Sequence, residues 1–222
     1  MSVDEHYIEL AGALDMLPNG FPRTASGVEL RILKKIFSPQ EAFLAGRLRG
    51  TAESVEAIAA RAGLPADEAK ARLKGLAERG LIWGWTEENE LRFRLAPFMV
   101  GIYEAKAVPM DHEYVHLIED YLAEGGAVGI MQPQPALHRV IPAQGAVKSE
   151  WILPYDDVRA ILTAAKNFHV EDCMCRVQQE QLGRRRCEFP LLNCLSFSAH
   201  SRPPRPGDIS REEALAVLER TE

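Results

Sequence analysis

Residues 51–95 read TAESVEAIAARAGLPADEAKARLKGLAERGLIWGWTEENELRFRL. Thr51 stands as an N-cap before a helix through Ala62 that turns Val55, Ile58 and Ala59 inward, with Glu53 and Glu56 suited to its first turn. Gly63-Leu64-Pro65 is a tight turn. A second helix follows over Ala66–Arg79, with Ala69, Leu73 and Leu76 at helical spacing and Gly80 placed as its C′ glycine. Leu81–Trp85 and Leu91–Leu95 then alternate as strands do, joined by Thr86-Glu-Glu-Asn-Glu90. Upstream, Ser26–Phe37 carries a helical stripe with Ser26 as N-cap, Ser38-Pro39 punctuates it, and Gln40–Leu48 is a short helix. Helix, helix, turn, helix, hairpin is the winged-helix order, here over residues 24–98.

Outside that block, residues 1–23 read as an N-terminal arm with a turn at Leu17-Pro-Asn-Gly20. Residues 99–153 form a connecting segment: an amphipathic helix over Asp111–Glu124, then short strands at Ala127–Met131 and His138–Ile141. Residues 154–222 hold a helix from Pro154 to about Asn167, a cysteine-rich segment, the stiff linker Pro203-Pro204-Arg205-Pro206-Gly207, and a helix opened by the capping-box pattern at Ser210. That last helix runs into the C-terminus without a cap signal, as in a chain cut short or a frayed helix end. The fold class that follows is mainly α with small β: a winged helix-turn-helix N-terminal half, then a helical and irregular cysteine-rich metal-binding half.

At 222 residues, 46% hydrophobic and 26% charged, the chain is long enough to bury a core and is not composed like a disordered one. Its 26 Lys and Arg against 32 Asp and Glu leave a net charge of −6, so no global basic field holds nucleic acid. No apolar run approaches the ~20 residues of a membrane span. MSVDEHYIEL opens acidic, without the basic-then-apolar order of a secretory signal, so a cytoplasmic location is expected.

The cysteines carry the sharpest signal. None occurs in the first 172 residues, and then Cys173, Cys175, Cys187 and Cys194 fall within 22 positions. The cytosol keeps thiols reduced, which makes clustered cysteines there better metal ligands than disulfides. Four thiolates serve a structural zinc or an iron–sulfur cluster. Zinc sites usually open C-x₂₋₄-C, because two sulfurs on one ion sit about 4 Å apart. A C-x-C in extended backbone puts its side chains on one face with Cα positions roughly 6.5–7 Å apart, which suits two irons better than one zinc, although a turn could close the gap. Met174, Phe189, Leu191, Leu192, Leu195 and Phe197 are available as an apolar shell, and Arg176, Arg184, Arg185 and Arg186 as counter-charge. His169 and His200 flank the segment as alternative ligands, with a supporting role around the site the better reading for His169. His112 and His116 share the i, i+4 spacing of a paired ligand, but no further histidine or carboxylate pattern accompanies them, so they read as part of an amphipathic helix.

The helix Ala66–Arg79 occupies the recognition position of a winged helix, with Lys70, Arg72 and Lys74 on it and Arg92 and Arg94 on the hairpin as nucleic-acid contacts. Against this, the helix begins with Asp67-Glu68, the hairpin tip carries Glu87, Glu88 and Glu90, and residues 24–98 hold twelve basic against ten acidic side chains, a net of +2. DNA is therefore disfavoured as partner. Docking of a redox protein, or self-association, fits at least as well. Adjacent carboxylates such as Glu119-Asp120 do not face one another on a helix, and no catalytic triad assembles from the sequence. The chain reads as at most an electron-transfer component of an oxidoreductase system, not an enzyme in itself.

The strings Ile152-Leu153-Pro154-Tyr155-Asp156-Asp157, Cys173-Met174-Cys175-Arg176, Cys187-Glu188-Phe189-Pro190 and Asn193-Cys194-Leu195-Ser196-Phe197 resemble those of bacterial winged-helix proteins of the 4Fe-4S ferredoxin type, whose pattern is C-x-C-R, C-x-x-P, C. The resemblance covers most of the chain. It implies an iron–sulfur cluster, 4Fe-4S in type, on Cys173, Cys175, Cys187 and Cys194. Such proteins continue into a further cysteine-rich region, whereas this sequence contains no C-x₂-C-x₂-C-x₃-C run. The expected function is electron transfer or redox sensing. A redox-responsive DNA-binding regulator and a zinc-stabilised structural protein are the alternatives.

Overall fold

A computed structural model describes residues 3–105, 107–128, 157–199 and 204–220. The class is mainly α with two small antiparallel sheets, and the chain divides into two compact units, Met1–His138 and Arg139–Glu222. Among the described residues no helix is long and apolar enough to cross a membrane.

The first unit opens with helix α1, Val3–Asp15, where an arm is expected from the sequence. Tyr7, Leu10, Ala11 and Leu14 recur at i, i+3, i+4 and i+7, and all four are buried. The Tyr7 hydroxyl donates to the Phe37 carbonyl at 2.9 Å. α1 packs on α2 (Val28–Ile36) and α3 (Pro39–Ala45). Gly27, in the left-handed region at φ 72°, is the N-cap of α2. The Ser26 hydroxyl still accepts from the Val28 N–H at 3.3 Å, sharing it with Thr24 at 3.2 Å. α3 begins with a full capping box between Ser38 and Glu41 and with Pro39 in the first turn.

The next helix, α4 (Val55–Ala62), is capped by Ser54 rather than Thr51. The reason is a two-residue strand, β1 (Glu53–Ser54), which pairs with β3 (Glu90–Leu95) and delays the helix start. Helix α5 (Ala66–Glu78) buries Ala69, Leu73 and Leu76 as its spacing requires. Strand β2 (Ile82–Glu87) then pairs with β3 in register Glu87↔Glu90, so the sheet order is β1-β3-β2. The strands run further towards the tip than the sequence suggests, because Glu88 and Asn89 both take positive φ, 49° and 66°, and close a two-residue hairpin. Beyond a tight turn at Phe98–Ile102, helix α6 (His112–Tyr121) is capped by Asp111, whose carboxylate accepts from the Tyr114 N–H at 2.8 Å. It packs on α2. Phe21, Phe98 and Tyr121 meet with centroids 4.6–6.0 Å apart, fixing one side of the core.

The second unit begins, among the described residues, at α7 (Val158–Ala164), capped by Asp157; Asn167 already belongs to strand β4 (Asn167–Asp172), so the helix is shorter than the sequence implies. Pro154 and the strand predicted at His138–Ile141 lie outside the described residues, as does most of that at Ala127–Met131, whose described residues Ala127 and Val128 are not strand. Helix α8 (Met174–Gln181), strands β5 (Leu192–Ser198) and β6 (Asp208–Ile209) and helix α9 (Arg211–Glu219) complete the unit. The sheet order is β5-β4-β6. Leu162, Ala165, Phe168 and Ala214 form its core, with Leu195 and Ile209 packed against them. The Ser210 capping box is present as its pattern predicts.

Burial of α1 makes it part of the first unit's core. Leu14→Ala should cost about 2–5 kcal/mol in urea unfolding, while Met16→Ala, 87% exposed two residues on, should stay within about 0.5 kcal/mol. Equal small effects would return the segment to an appendage.

Candidate metal centre

The four cysteines lie on one strand–helix–loop–strand segment. Cys173 directly follows β4 and is the N-cap of α8; its N–H donates to the Leu191 carbonyl at 2.8 Å, and its own carbonyl accepts from the N–H groups of Arg176 and Val177, each at 3.0 Å. Cys194 sits on β5 opposite Glu171, next to a register shift at Glu171/Asp172. The β4–β5 pairing thus carries Cys173 and Cys194 to the same end of the sheet. Cys175 lies in the first turn of α8 and is exposed. This corrects the extended C-x-C expected from the sequence. The dipeptide step turns the chain from strand into helix, so the two thiols do not share one face of a strand.

Cys187 follows α8 in a loop held by Arg185, whose guanidinium donates to the Cys187 carbonyl at 3.0 Å, to the Phe189 carbonyl, and pairs with Glu180. Arg176, on the first turn of α8, donates from Nε to the Cys187 thiol at 3.3 Å and lies within electrostatic reach of Cys173 and Cys194. That guanidinium, together with the Phe189 N–H and the charge of Arg185, holds the Cys187 thiol below the usual cysteine range. A cavity of about 750 Å³ opens beside it, lined by Cys175, Cys187 and Arg176, Arg184, Arg185 and Arg186. Positive charge around a site that would hold four thiolates is electrostatically consistent.

Two of the four thiols, Cys175 and Cys187, line that cavity with no competing carboxylate, and as a donor type thiols suit zinc or iron–sulfur chemistry. The segment is not a closed cage, however: among the described residues no three His, Cys, Asp or Glu side chains gather into a group able to hold a metal ion. The apolar shell also differs from expectation. Met174 is buried and Leu195 packs on the core, but Phe189, Leu192 and Phe197 are exposed, Phe189 with its ring facing Arg176 at 5.7 Å. His169 is engaged by Asp208 across the sheet, Nδ1 to Oδ1 at 3.3 Å, and packs on Gly207, where a Cβ would meet its ring at 2.5 Å. His200 lies outside the described residues.

The proposed nucleic-acid contacts fare unevenly. Lys70 and Lys74 are exposed on α5. Arg72 is paired with Glu68, and Arg92 with Glu90 at 2.9 Å. Arg94 stacks on Trp83 at 4.4 Å and reaches Trp85 at 5.8 Å on the outer face of the hairpin. Arg94 is a nucleic-acid candidate in the sequence, and its tryptophan partners were missed there. The signal was available, since Trp83 pairs directly with Arg94 in the hairpin register.

Compared with known proteins, the chain matches no family model, no curated protein and no solved structure.

The Arg176–Cys187 contact has a kinetic consequence in the metal-free, reduced protein. A lowered thiol pKa means more thiolate at neutral pH, so alkylation of Cys187 by iodoacetamide should be fast. Arg176→Gln removes the largest cause of the lowering, and its pH–rate profile should move to higher pH with a several-fold slower reaction at pH 7. Peptide mass spectrometry resolves Cys187 from the other three. An unshifted profile would show that the guanidinium does not tune this thiol.

Proposed function

We propose that the protein binds an iron–sulfur cluster, of 4Fe-4S type, through Cys173, Cys175, Cys187 and Cys194, and serves in electron transfer or redox sensing. The observation that carries the reading is the position of Arg176: it touches Cys187 in the loop while lying within electrostatic reach of Cys173 and Cys194 on the sheet. A single fixed cation at Cys187, within reach of two further cysteines, offsets the negative charge that ligating thiolates carry. When bound, such a cluster supplies one-electron redox chemistry. The chain's own contribution is to orient the ligands: the β4–β5 pairing sets Cys173 and Cys194, α8 sets Cys175, and the Arg185 brace sets the loop bearing Cys187. Because no three ligands are gathered in advance, loading is coupled to ordering of this segment.

The first unit is read as a winged helix used for docking. Its order α2, α3, β1, α4, α5, β2, β3 and its three-stranded sheet support that assignment. Arg72, Arg92 and Arg94 are already engaged by Glu68, Glu90 and the two tryptophans. The hairpin tip is acidic. A protein partner, or a second copy, suits such a surface better than a phosphate backbone.

Anaerobic purification with iron, sulfide and zinc analysis tests the first part. A brown protein with near-equal iron and sulfide, both lost in Cys175→Ser, is the expected result. A colourless protein with one zinc per chain would replace the redox reading by a structural clasp. For the docking domain, a gel shift with genomic fragments should show no specific, salt-dependent complex; a steep salt dependence would establish a DNA-binding regulator instead.

A further inference from the structure

Helix α6 carries a second arrangement of metal-ligating atoms, unrelated to the cysteines. His112 and His116 are exposed, with Nε2 to Nε2 at 3.1 Å and ring centroids 4.3 Å apart. The rotation of the helix is fixed from the other side. Tyr114, Val115, Leu117, Ile118 and Tyr121 are all buried, so residues 112 and 116 are left one turn apart on the solvent side. Two imidazole nitrogens bound to one ion at roughly 2.0–2.1 Å, with an angle between 90° and 109°, must be about 2.9–3.4 Å apart. The observed separation falls inside that range, so one ion can bridge the pair without moving the backbone.

Two of the neighbouring carboxylates are committed elsewhere. Lys35 holds Asp111 at 3.1 Å and also pairs with Glu113, and Asp111 caps the helix besides. They neither supply a third ligand as placed nor compete for the imidazoles. We propose that His112 and His116 form a two-point chelate for a late first-row divalent cation such as nickel or zinc, its remaining positions filled by water. Imidazole suits these ions, and a carboxylate-poor pair of nitrogens disfavours magnesium and calcium. The open positions distinguish this site from a closed structural one, because they admit an outside ligand.

The test uses the full chain, reduced and at pH 7.5, titrated with nickel(II) alone and followed by the histidine ring signals in NMR. The ring readout is residue-specific, so metal captured by the cysteine segment does not register as binding here. Signals of His112 and His116 should broaden together, ahead of that of His6. His112→Ala and His116→Ala should each weaken the effect at the remaining histidine by about tenfold or more, the change expected when one of two ligands is lost. Both residues are exposed, and circular dichroism checks that the variants keep the helix. Independent broadening of the two rings, or undiminished binding in either single variant, would overturn the chelate. So would broadening no earlier than at His6.

Discussion

Antiparallel pairing of β4 with β5 is the constraint on which the cysteine segment depends. Cys173 and Cys194 are 21 positions apart in the chain, and only the ladder returns them to one end of a sheet. The register shift at Glu171/Asp172 adds a residue there, and the Cys173 N–H donates to the Leu191 carbonyl one step beyond the last strand pair, Asp172↔Leu192. With its amide so occupied, the chain turns into α8 and leaves Cys175 on the first helical turn. Phe168 and Leu195 tie the same strands to the small core beneath, so the position of the thiols is coupled to apolar burial.

Electrostatics in that segment are arranged around arginine. Arg176 faces the thiols, while Arg185 uses its planar guanidinium to hold two carbonyls of the loop, a task for which the point charge of a lysine is poorly suited. One arginine therefore acts on charge and the other on shape. The exposed Phe189, Leu192 and Phe197 surround this region with apolar surface that the second unit does not itself bury. Isolated exposed apolar residues are common, but these three occupy the loop and strand that carry Cys187 and Cys194.

In the first unit the charges are mostly consumed internally. Arg61 joins Glu53 on β1 to the Arg47 carbonyl, stitching the first strand of the sheet to the turn after α3. Arg79 similarly ties α5 to Glu41 and to the Ile36 carbonyl. Exposed ion pairs contribute little stability one by one, so these contacts fix orientation more than they add free energy. They also remove cations from the surface.

Much of this was legible in the sequence because it depended on local rules. The inner faces of α4 and α5, the capping box at Ser210, the hairpin and the cysteine cluster all follow from spacing within a few residues. Helix α1 escaped because its apolar residues gain their meaning only against α2 and α3, which lie farther along the chain. Thr51 lost its capping role to Ser54 because β1 pairs with β3, a contact across some forty positions that no local pattern encodes. The same holds at the candidate site. The sequence by itself determined which thiols and arginines are present and that they are close along the chain. Only the tertiary structure decided that Cys175 sits on a helix rather than a strand, that Arg176 points at Cys187, and that His112 and His116 stand one metal-bite apart. Residue type sets what chemistry is available, but direction is fixed by backbone hydrogen bonds and burial between distant segments.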